Sequence, residues 1–326
     1  MTEATIPAKE QLTICFAHAA YQMQACFEAL ETGVNHFELR DGAELNRRIG
    51  EADVLVISGL WHNDLIERGK RLRFVQSIGS GTDQFDREAL AARAIRLASA
   101  AGVNARAVAE HAMALILALA RRLPEARDNQ ARQIWRGMIS DLTRREDELG
   151  GKTLLVIGLG RIGGRLARLA KAFDMRVIGF RRDPASGREA ADSVHTLAEL
   201  PAFLPQADYV VLTCPLTDAT RGLIDARALA LLPPGASVVN CARGPCVVEV
   251  DLVAALQAGR IAGAAVDTTD PEPLPAESPL WGIPNALITP HTAGETRKYE
   301  ANVIEILMEN LNRLWRGETV LRNGVV

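Results

Sequence analysis

The amino-acid sequence predicts an α/β fold with parallel sheets, divided between two domains. Its 326 residues exceed what one ordinary hydrophobic core holds and suit two domains. Short runs rich in β-branched residues alternate with longer helical patterns from end to end, which is typical of parallel strands covered by helices. Hydrophobic residues make up 48% of the chain and charged residues 24%, the balance of a globular protein rather than a disordered one.

The first hundred residues contain four predicted strands. They are the apolar runs over residues 12–17, 54–58, 74–78 and 95–98. A long helix rich in alanine and leucine is predicted over residues 105–122, because neither glycine nor proline interrupts the pattern before Pro124. Its apolar face exceeds what one domain boundary needs, which predicts a contact with a second copy of the chain.

A second series of strands begins after Gly151. Its members are predicted over residues 153–157, 176–180, 209–213, 237–240, 263–266 and 286–289. Six strands with intervening helices predict a doubly wound sheet of the kind that binds dinucleotides. After Pro290 an amphipathic pattern predicts one helix over residues 295–315.

A glycine-rich turn lies between the first strand of this series and the next helix. It is formed by Gly158, Gly160 and Gly163, with Arg161 and Ile162 between the last two. In this context the first glycine allows a tight turn, the second lets backbone approach a pyrophosphate, and the third lets helix and strand pack closely. The motif predicts a Rossmann dinucleotide site, and the alternative is a glycine-rich turn of another α/β protein.

Two arginines stand at the end of the next strand, where NAD-binding units carry an acidic residue that binds the ribose hydroxyls. Here Arg181 and Arg182 follow the strand residues VIGF. A carboxylate would repel a 2′-phosphate, whereas a guanidinium offers it two oriented donors. We therefore expect NADP(H) to be preferred. NAD(H) is the alternative if these arginines are solvated surface side chains or if Asp183 reaches the ribose.

Further motifs are spread over nearly the whole chain. They are the loop at residues 77–83, the segments at 103–105 and 108–111, the run at 240–244, the stretch from Asp267 to Glu272-Pro273, and the pair Pro290-His291. In this order and spacing they resemble the D-isomer-specific 2-hydroxyacid dehydrogenases, and among these the glyoxylate/hydroxypyruvate reductases. The resemblance implies hydride transfer between NADP(H) or NAD(H) and a small 2-keto acid or D-2-hydroxy acid, such as glyoxylate or hydroxypyruvate.

The resemblance also implies the architecture. Two doubly wound parallel-sheet domains are expected, a Rossmann cofactor domain over residues 103–291 and a flavodoxin-like substrate domain over residues 1–102 and 292–326. The chain would then cross between them twice, and the cleft would close around the ligand and exclude water from hydride transfer.

The chemistry of such a reaction asks for the residue types in these motifs. An arginine, Arg243, can hold the substrate carboxylate and polarise the neighbouring carbonyl. A histidine that titrates near neutrality, His291, can protonate the oxygen as hydride arrives, and can remove that proton in the oxidative direction. A carboxylate beside it, Glu272, would favour imidazolium and orient the ring. Each residue also has an ordinary alternative. Arg243 would be a surface arginine, Glu272 a solvated acid in a turn, and His291 a structural histidine. The resemblance to the family assigns all three to catalysis.

Ligand-binding residues follow from the same resemblance. The backbone N–H groups of Ile78, Gly79, Ser80 and Gly81 are expected to bind the substrate carboxylate, since glycine permits close approach. Asp267, at the end of a strand, is expected to contact the nicotinamide carboxamide. Besides the glycine turn and the two arginines, cofactor contacts are expected from Asn104, Cys214, Pro215, Thr220 and Cys241.

Trp135 and His111 bear on assembly. In similar reductases a tryptophan at the position of Trp135 reaches towards the partner subunit's active site, and burial in the chain's own core is the alternative. With the apolar helix, it predicts a homodimer. His111, inside that helix, is interpreted as a packing or interface residue.

Charge and cysteine content exclude several other classes. A net charge of −3 and a pI near 6.1 argue against nucleic acid or an anionic membrane as partner. The five cysteines show no CxxC pair and no zinc-finger spacing, which favours reduced thiols in the cytoplasm and no metal site. The N-terminus lacks a signal-peptide pattern, and the most apolar helical stretch, residues 112–120, is too short to span a bilayer.

Three rival functions are disfavoured. A transcriptional corepressor that shares the fold would need a peptide-docking groove, which the sequence does not reveal. A phosphoglycerate dehydrogenase with a regulatory extension would be expected to continue well beyond the last helix. A formate dehydrogenase would pair its histidine with an amide, where this chain has Glu272.

Overall fold

The structure is a computed structural model that describes residues 6–326. The chain divides into two units. One comprises the chain up to Asn104 together with Thr296–Val326, and the other is Ala105–Glu295. The chain therefore leaves the first unit after Asn104 and returns to it at Thr296.

Both boundaries lie slightly later than the predicted divisions after residues 102 and 291. Val103 is buried in the core of the first unit, and its carbonyl accepts a hydrogen bond from the Asn302 side chain at 3.0 Å. At the other boundary the backbone amides of Thr292 and Ala293 donate to the carboxylate of Asp267 at 2.9 and 3.0 Å. These contacts, which no composition pattern reveals, join the connecting residues to the units in which they lie.

Within residues 6–326 the chain forms twelve β-strands and eleven α-helices. The strands are β1 (Thr13–Ala17), β2 (Asn35–Leu39), β3 (Val54–Ile57), β4 (Phe74–Ser77), β5 (Arg96–Ala98), β6 (Thr153–Ile157), β7 (Arg176–Phe180), β8 (Ser193–His195), β9 (Tyr209–Leu212), β10 (Ser237–Asn240), β11 (Gly263–Val266) and β12 (Ala286–Ile288). The helices are α1 (Met23–Glu28), α2 (Gly42–Arg48), α3 (Asp64–Arg68), α4 (Arg87–Ala92), α5 (Ala105–Ala120), α6 (Leu123–Ala131), α7 (Arg161–Ala172), α8 (Leu200–Phe203), α9 (Ala226–Leu231), α10 (Glu249–Gln257) and α11 (Tyr299–Trp315).

The first unit is built on a parallel sheet with the strand order β2-β1-β3-β4-β5. One face carries a core that includes Phe16 and Leu307 of α11, and the other carries a core that includes Leu55. The sequence prediction missed β2. It is an edge strand whose residues, NHFEL, are mostly only half-buried, so a polar composition is tolerated and the apolar signal is weak.

The second unit contains a seven-stranded parallel sheet in the order β12-β11-β10-β9-β6-β7-β8. Successive residues of β6, Val156 and Ile157, enter different cores on the two faces, as strand alternation requires. Because all seven strands are parallel, their carboxyl ends meet at one edge of the sheet. The sequence predicted six of these strands; the seventh, β8, is a three-residue edge strand of half-buried side chains.

The predicted helix over residues 105–122 is two helices, α5 and α6. Arg122 separates them with a left-handed backbone, φ 50°, and Pro124 lies in the first turn of α6, where its missing N–H costs nothing. The apolar face of α5, including Val108 and Ile116, is buried in the core of its own unit, which accounts for that face without a second copy. The last helix begins at Tyr299, four residues later than predicted. Nowhere in residues 6–326 is a helix both long and apolar enough to cross a bilayer.

Candidate active site

The glycine motif connects β6 to α7 at the carboxyl edge of the seven-stranded sheet. Gly158 has φ +99°, a conformation that residues with a side chain rarely adopt, and its amide donates to the Phe180 carbonyl at 2.9 Å. A β-carbon on Gly163 would come within 2.3 Å of the Gly158 carbonyl oxygen, so the helix packs directly on the turn. At Gly160 a β-carbon would meet only open space.

This turn fits the pyrophosphate of a dinucleotide. Gly160 is the N-cap residue of α7, so no side chain of that residue covers the helix N-terminus. The helix then begins with Arg161, which is exposed, and Ile162, which is half-buried. Free backbone N–H groups and the helix dipole favour an anion at such an end.

Arg181 follows directly on β7, beside the glycine motif. The carbonyl of the last strand residue, Phe180, accepts hydrogen bonds from the amides of both Gly158 and Leu159 at 2.9 Å, which fixes this strand end against the turn. The Arg181 guanidinium donates from Nη1 to the carbonyl of Gly187 at 2.7 Å. Arg182 is exposed. The backbone at this strand end therefore adjoins the glycine motif, and the two residues that follow it are arginines.

Asp183 is engaged in a local turn. Its carboxylate accepts hydrogen bonds from the Ser186 hydroxyl at 2.6 Å and from the Ala185 amide at 3.0 Å. These two bonds lower the pKa of Asp183 and cap the short 3-10 turn Pro184–Ser186. The Asp183 carboxylate is therefore directed at residues of its own loop.

The loop after β9 carries Cys214, Pro215 and Thr220. A β-carbon on Gly158 would come within 2.6 Å of the Cys214 amide nitrogen, so this loop adjoins the glycine motif. The buried Thr220 hydroxyl donates to the Pro215 carbonyl at 2.7 Å and accepts from the Thr217 amide at 2.8 Å. Thr220 thus shapes the loop from within.

Arg243 is carried by a turn at the carboxyl end of β10. The buried side chain of Asn240 forms this turn, because its Oδ1 accepts from the Ala242 amide and its Nδ2 donates to the Arg243 carbonyl, each at 3.0 Å. Arg243 is exposed, and its Nη1 donates to the Ala242 carbonyl at 2.7 Å. Burial raises the pKa of Cys241 to about 12, so this residue stays a thiol. The turn offers a guanidinium and no thiolate from Cys241.

His291 lies on a turn that Asp267 holds. The buried Asp267 carboxylate accepts from the Thr289 hydroxyl at 2.6 Å and from the Thr292 and Ala293 amides, and the Asp267 carbonyl accepts from the His291 amide at 2.8 Å. Held in this way, His291 has φ 53°, a conformation that His, Asn and Asp adopt more readily than other residues with side chains. These bonds occupy Asp267 within the protein, and its contact with nicotinamide stays a prediction.

Glu272 and His291 form a hydrogen-bonded pair. His291 Nδ1 lies 2.9 Å from Glu272 Oε2, while Glu272 Oε1 accepts from the Thr269 amide at 3.1 Å. Because a carboxylate only accepts hydrogen bonds, Nδ1 carries a proton, and Nε2 is the ring atom left for exchange with a ligand. The two side chains are 47% and 38% exposed, so a small molecule can reach them. The pair can donate or accept a proton at Nε2.

A cavity of about 550 Å³ opens beside this pair. Its lining is mostly apolar and includes Pro273, Leu274, Trp281 and Ile288. The Trp281 indole lines one side of the cavity and is held in place because its Nε1 donates to the Pro275 carbonyl at 2.9 Å. An apolar chamber with a few polar groups at one side is typical of a small-molecule site.

The predicted substrate loop lies in the first unit. The amide of Ile78 donates to the Ile57 carbonyl at 3.0 Å, and the amide of Gly79 donates to the Ser77 hydroxyl at 3.2 Å. Among the described residues, no partner within the protein engages the amides of Ser80 and Gly81, which are both exposed. Of the four amides predicted to bind a carboxylate, these two remain available. Asn104 is the last residue of the first unit before the chain crosses.

The sequence interpretation missed the contribution of His111 and Thr289. His111 Nε2 lies 3.0 Å from Thr289 Oγ1, which in turn donates to Asp267. The two residues are 178 positions apart, so no local spacing could have paired them. Only the packing of α5 against the sheet brings them together.

Known proteins resemble this chain over most of its length. A model of the D-isomer specific 2-hydroxyacid dehydrogenase, NAD binding domain, matches residues 113–293. The chain is 38% identical to D-3-phosphoglycerate dehydrogenase of Methanocaldococcus jannaschii over 84% of its length but spans only 52% of that protein, about half the length of the phosphoglycerate dehydrogenases it matches. It is 34% identical to glyoxylate/hydroxypyruvate reductase B of Yersinia enterocolitica, with 86% of each chain covered.

Solved structures confirm the predicted two-sheet α/β fold. The structure of a D-isomer specific 2-hydroxyacid dehydrogenase family protein from Aeromonas salmonicida superposes with a TM-score of 0.82 at 30% identity. The match covers 97% of this chain and 99% of that one. Both parallel sheets therefore have counterparts in a protein of known structure.

Proposed function

Because the chain belongs to the D-isomer specific 2-hydroxyacid dehydrogenase family, we propose that it transfers a hydride between NADP(H) and a small 2-keto acid or D-2-hydroxy acid. Glyoxylate and hydroxypyruvate are the proposed keto acids, and NAD(H) is the alternative cofactor. The carrying observation is the hydrogen-bonded pair of His291 and Glu272, at the same sheet edge as Arg243 and the glycine motif. A proton donor, a carboxylate binder and a dinucleotide cradle are the parts that this reaction needs together.

Each protein group has a defined task in reduction. A nicotinamide cofactor held at the turn of Gly158, Gly160 and Gly163 would supply the hydride for carbon 2 of the keto acid. Arg243 binds the substrate carboxylate and polarises the carbonyl, which lowers the cost of placing charge on its oxygen. His291 donates the proton from Nε2 to that oxygen, while Glu272 holds Nδ1 and stabilises the imidazolium. In oxidation the neutral ring accepts the proton at the same atom.

NADP(H) is proposed over NAD(H) because of the charge at the end of β7. Arg181 directly follows Phe180, whose carbonyl is bound to the glycine motif; its guanidinium is held at the Gly187 carbonyl, and Arg182 is exposed. Asp183, the residue that could serve a ribose hydroxyl instead, is occupied by Ser186 and Ala185. A 2′-phosphate would gain charged donors here, whereas the ribose of NAD would find no carboxylate directed at it.

Substrate binding is proposed for the loop Ile78, Gly79, Ser80 and Gly81, with the amides of Ser80 and Gly81 as the donors. Backbone N–H groups in a glycine-flanked loop suit a carboxylate. A phosphorylated substrate, D-3-phosphoglycerate, is the second candidate, because a protein named for it is 38% identical to this chain.

A substrate panel tests the proposed function. Purified protein is assayed by nicotinamide absorbance with glyoxylate, hydroxypyruvate and pyruvate against NADPH and NADH, and with D-3-phosphoglycerate against the oxidised cofactors. We expect the highest kcat/KM with one of the small keto acids and NADPH. Turnover of D-3-phosphoglycerate alone would favour the second candidate, and turnover of none of the four would contradict the proposed function.

We also propose that the protein works as a homodimer. The support is a run of exposed apolar side chains that follows α6: Trp135 is 98% exposed, and Ile134, Met138 and Leu142 are exposed as well. Burial in the chain's own core, the alternative for Trp135, does not occur. So much exposed apolar surface in one short segment is typical of a contact with another chain, and a second copy is the proposed occupant.

A charge in this segment should therefore weaken association. We expect the double variant Trp135→Glu/Met138→Glu to shift the protein from dimer to monomer in sedimentation velocity at micromolar concentration, and to lose activity if Trp135 serves the neighbouring site. Val250→Glu, on an exposed surface of the same unit, is the matched control and should leave the dimer intact. A fully active monomer of the unmodified protein at assay concentration would refute the proposed assembly.

A further inference from the structure

A chain of hydrogen bonds connects α5 to the turn that carries His291. It begins at His111, whose Nε2 lies 3.0 Å from Thr289 Oγ1 and 3.6 Å from Asp267 Oδ1. It continues through the Thr289 hydroxyl to Asp267 Oδ1 at 2.6 Å. From the Asp267 carboxylate it reaches the turn itself, through the amides of Thr292 and Ala293 at 2.9 and 3.0 Å.

The number of hydrogens on each group fixes which atom donates and which accepts in this series of hydrogen bonds. A threonine hydroxyl has one hydrogen, and the 2.6 Å contact with a carboxylate oxygen requires that hydrogen to point at Asp267. Thr289 Oγ1 can then only accept from His111, so His111 carries its proton on Nε2. His111 thereby holds the hydroxyl in the one rotamer that serves Asp267.

The position of the Asp267 carboxylate depends on the hydrogen bond from the Thr289 hydroxyl. It is a buried carboxylate, and its hydrogen bonds come from two amides and the Thr289 hydroxyl. A buried carboxylate that loses a donor pays a large desolvation cost and tends to move or to recruit water. Movement of the Asp267 carboxylate would shift the turn that carries His291, because that carboxylate accepts from the amides of the next two residues, Thr292 and Ala293, at 2.9 and 3.0 Å.

We propose that His111 is a positioning residue for the proton donor: acting through Thr289 and Asp267, it fixes the turn that places His291 Nε2. This inference rests on the proposed function, since it assigns His111 a task only if His291 exchanges the proton. It replaces the interpretation of His111 as a packing or interface residue. His111 itself touches neither substrate nor reacting atoms in this role.

Three variants separate positioning from packing. His111→Leu keeps similar bulk without a donor, His111→Gln can place an amide N–H where Nε2 lies, and Thr289→Val removes the hydroxyl at nearly constant volume. His36→Leu is the matched control, because the His36 side chain is 21% exposed against 23% for His111, and its Nε2 likewise lies near a carboxylate, that of Glu28.

We expect His111→Leu to lower kcat about tenfold with the best keto acid, the loss typical of a hydrogen bond in a charged network, while KM and the cofactor Kd change less than about twofold. His111→Gln should recover most of kcat. Thr289→Val should match His111→Leu, and the double variant should be little worse than either, since both break one chain. The solvent deuterium isotope effect on kcat should rise in the impaired variants, as proton transfer becomes slower.

The outcomes distinguish this inference from the proposed function. If His111→Leu and Thr289→Val keep kcat within about twofold while His291→Asn is inactive, the inference is wrong and the proposed function stands. If His291→Asn retains activity, the proposed proton donor itself is wrong. Equal losses for His111→Leu and His111→Gln, or fully additive losses with Thr289→Val, would indicate packing. Should His111→Leu fail to fold, Thr289→Val and His111→Gln still decide the question.

Discussion

Replacing His291 with asparagine is expected to lower kcat for keto-acid reduction by about 10²- to 10⁴-fold, the usual contribution of general acid catalysis. Asparagine is the sharpest substitution, because it tolerates the left-handed backbone at this position and can still donate to Glu272. It removes only the exchangeable proton at Nε2. The variant should therefore fold and bind NADPH with a Kd within about threefold of the unmodified protein, measured by fluorescence titration.

Neighbouring residues provide the controls for this result. Arg243→Ala should also remove most turnover without loss of cofactor binding, but it should raise KM for the keto acid, because the arginine is proposed to bind the carboxylate. Glu272→Gln should be milder, since an amide can still accept from Nδ1 while the charge is lost. Near-normal turnover by His291→Asn would mean that another group supplies the proton.

Substituting Arg181 with aspartate is expected to reverse the cofactor preference or nearly abolish it. We expect the unmodified protein to favour NADPH over NADH in kcat/KM by at least about tenfold, since one charge-assisted hydrogen bond is worth roughly 10- to 150-fold in affinity. In the variant, a carboxylate next to the glycine motif would repel the 2′-phosphate and accept from the ribose hydroxyls. Raising the salt concentration should erode the native preference, because exposed ion pairs are screened.

Asp183→Asn is the matched control for the cofactor experiment. Because the Asp183 carboxylate is engaged by Ser186 and Ala185, its loss should leave the NADPH-to-NADH ratio unchanged within about twofold. A selective loss of NADH activity in this variant would mean that Asp183 serves the ribose. Equal or better efficiency with NADH in the unmodified protein would contradict the assignment of Arg181 to the 2′-phosphate.

The sequence predicted the buried parts of the fold better than its edges. The bounds of β6, β7, β10 and β11 agree with the predicted ranges, because central parallel strands are buried on both faces and leave an unbroken apolar run. The edge strands β2 and β8 carry polar, half-buried residues and were missed. The break between α5 and α6 depends on one left-handed residue, Arg122, which no periodicity marks.

Some contacts of the candidate site were likewise predictable from the sequence and others were not. The pairing of Glu272 with His291 was predicted because the two residues stand in a recognisable order of motifs, and the structure brings them within 2.9 Å. The partners of Asp183 were not predicted, although they lie only two and three residues away, because a turn cap and a ligand-binding carboxylate look alike in sequence. The link from His111 to Thr289 was beyond sequence reasoning, since helix packing alone creates it.

The left-handed backbone at His291 also limits how this protein can change over generations. Few residue types adopt a φ of 53° readily, and histidine is the one among them whose side chain exchanges a proton near neutrality. Substitutions at this position therefore fall into two groups. Asparagine or glycine preserves the turn but cannot exchange the proton. A bulky or β-branched residue loses the proton exchange and strains the turn as well. A descendant that kept its nucleotide cradle but became a sensor could lose catalysis by that one tolerated step.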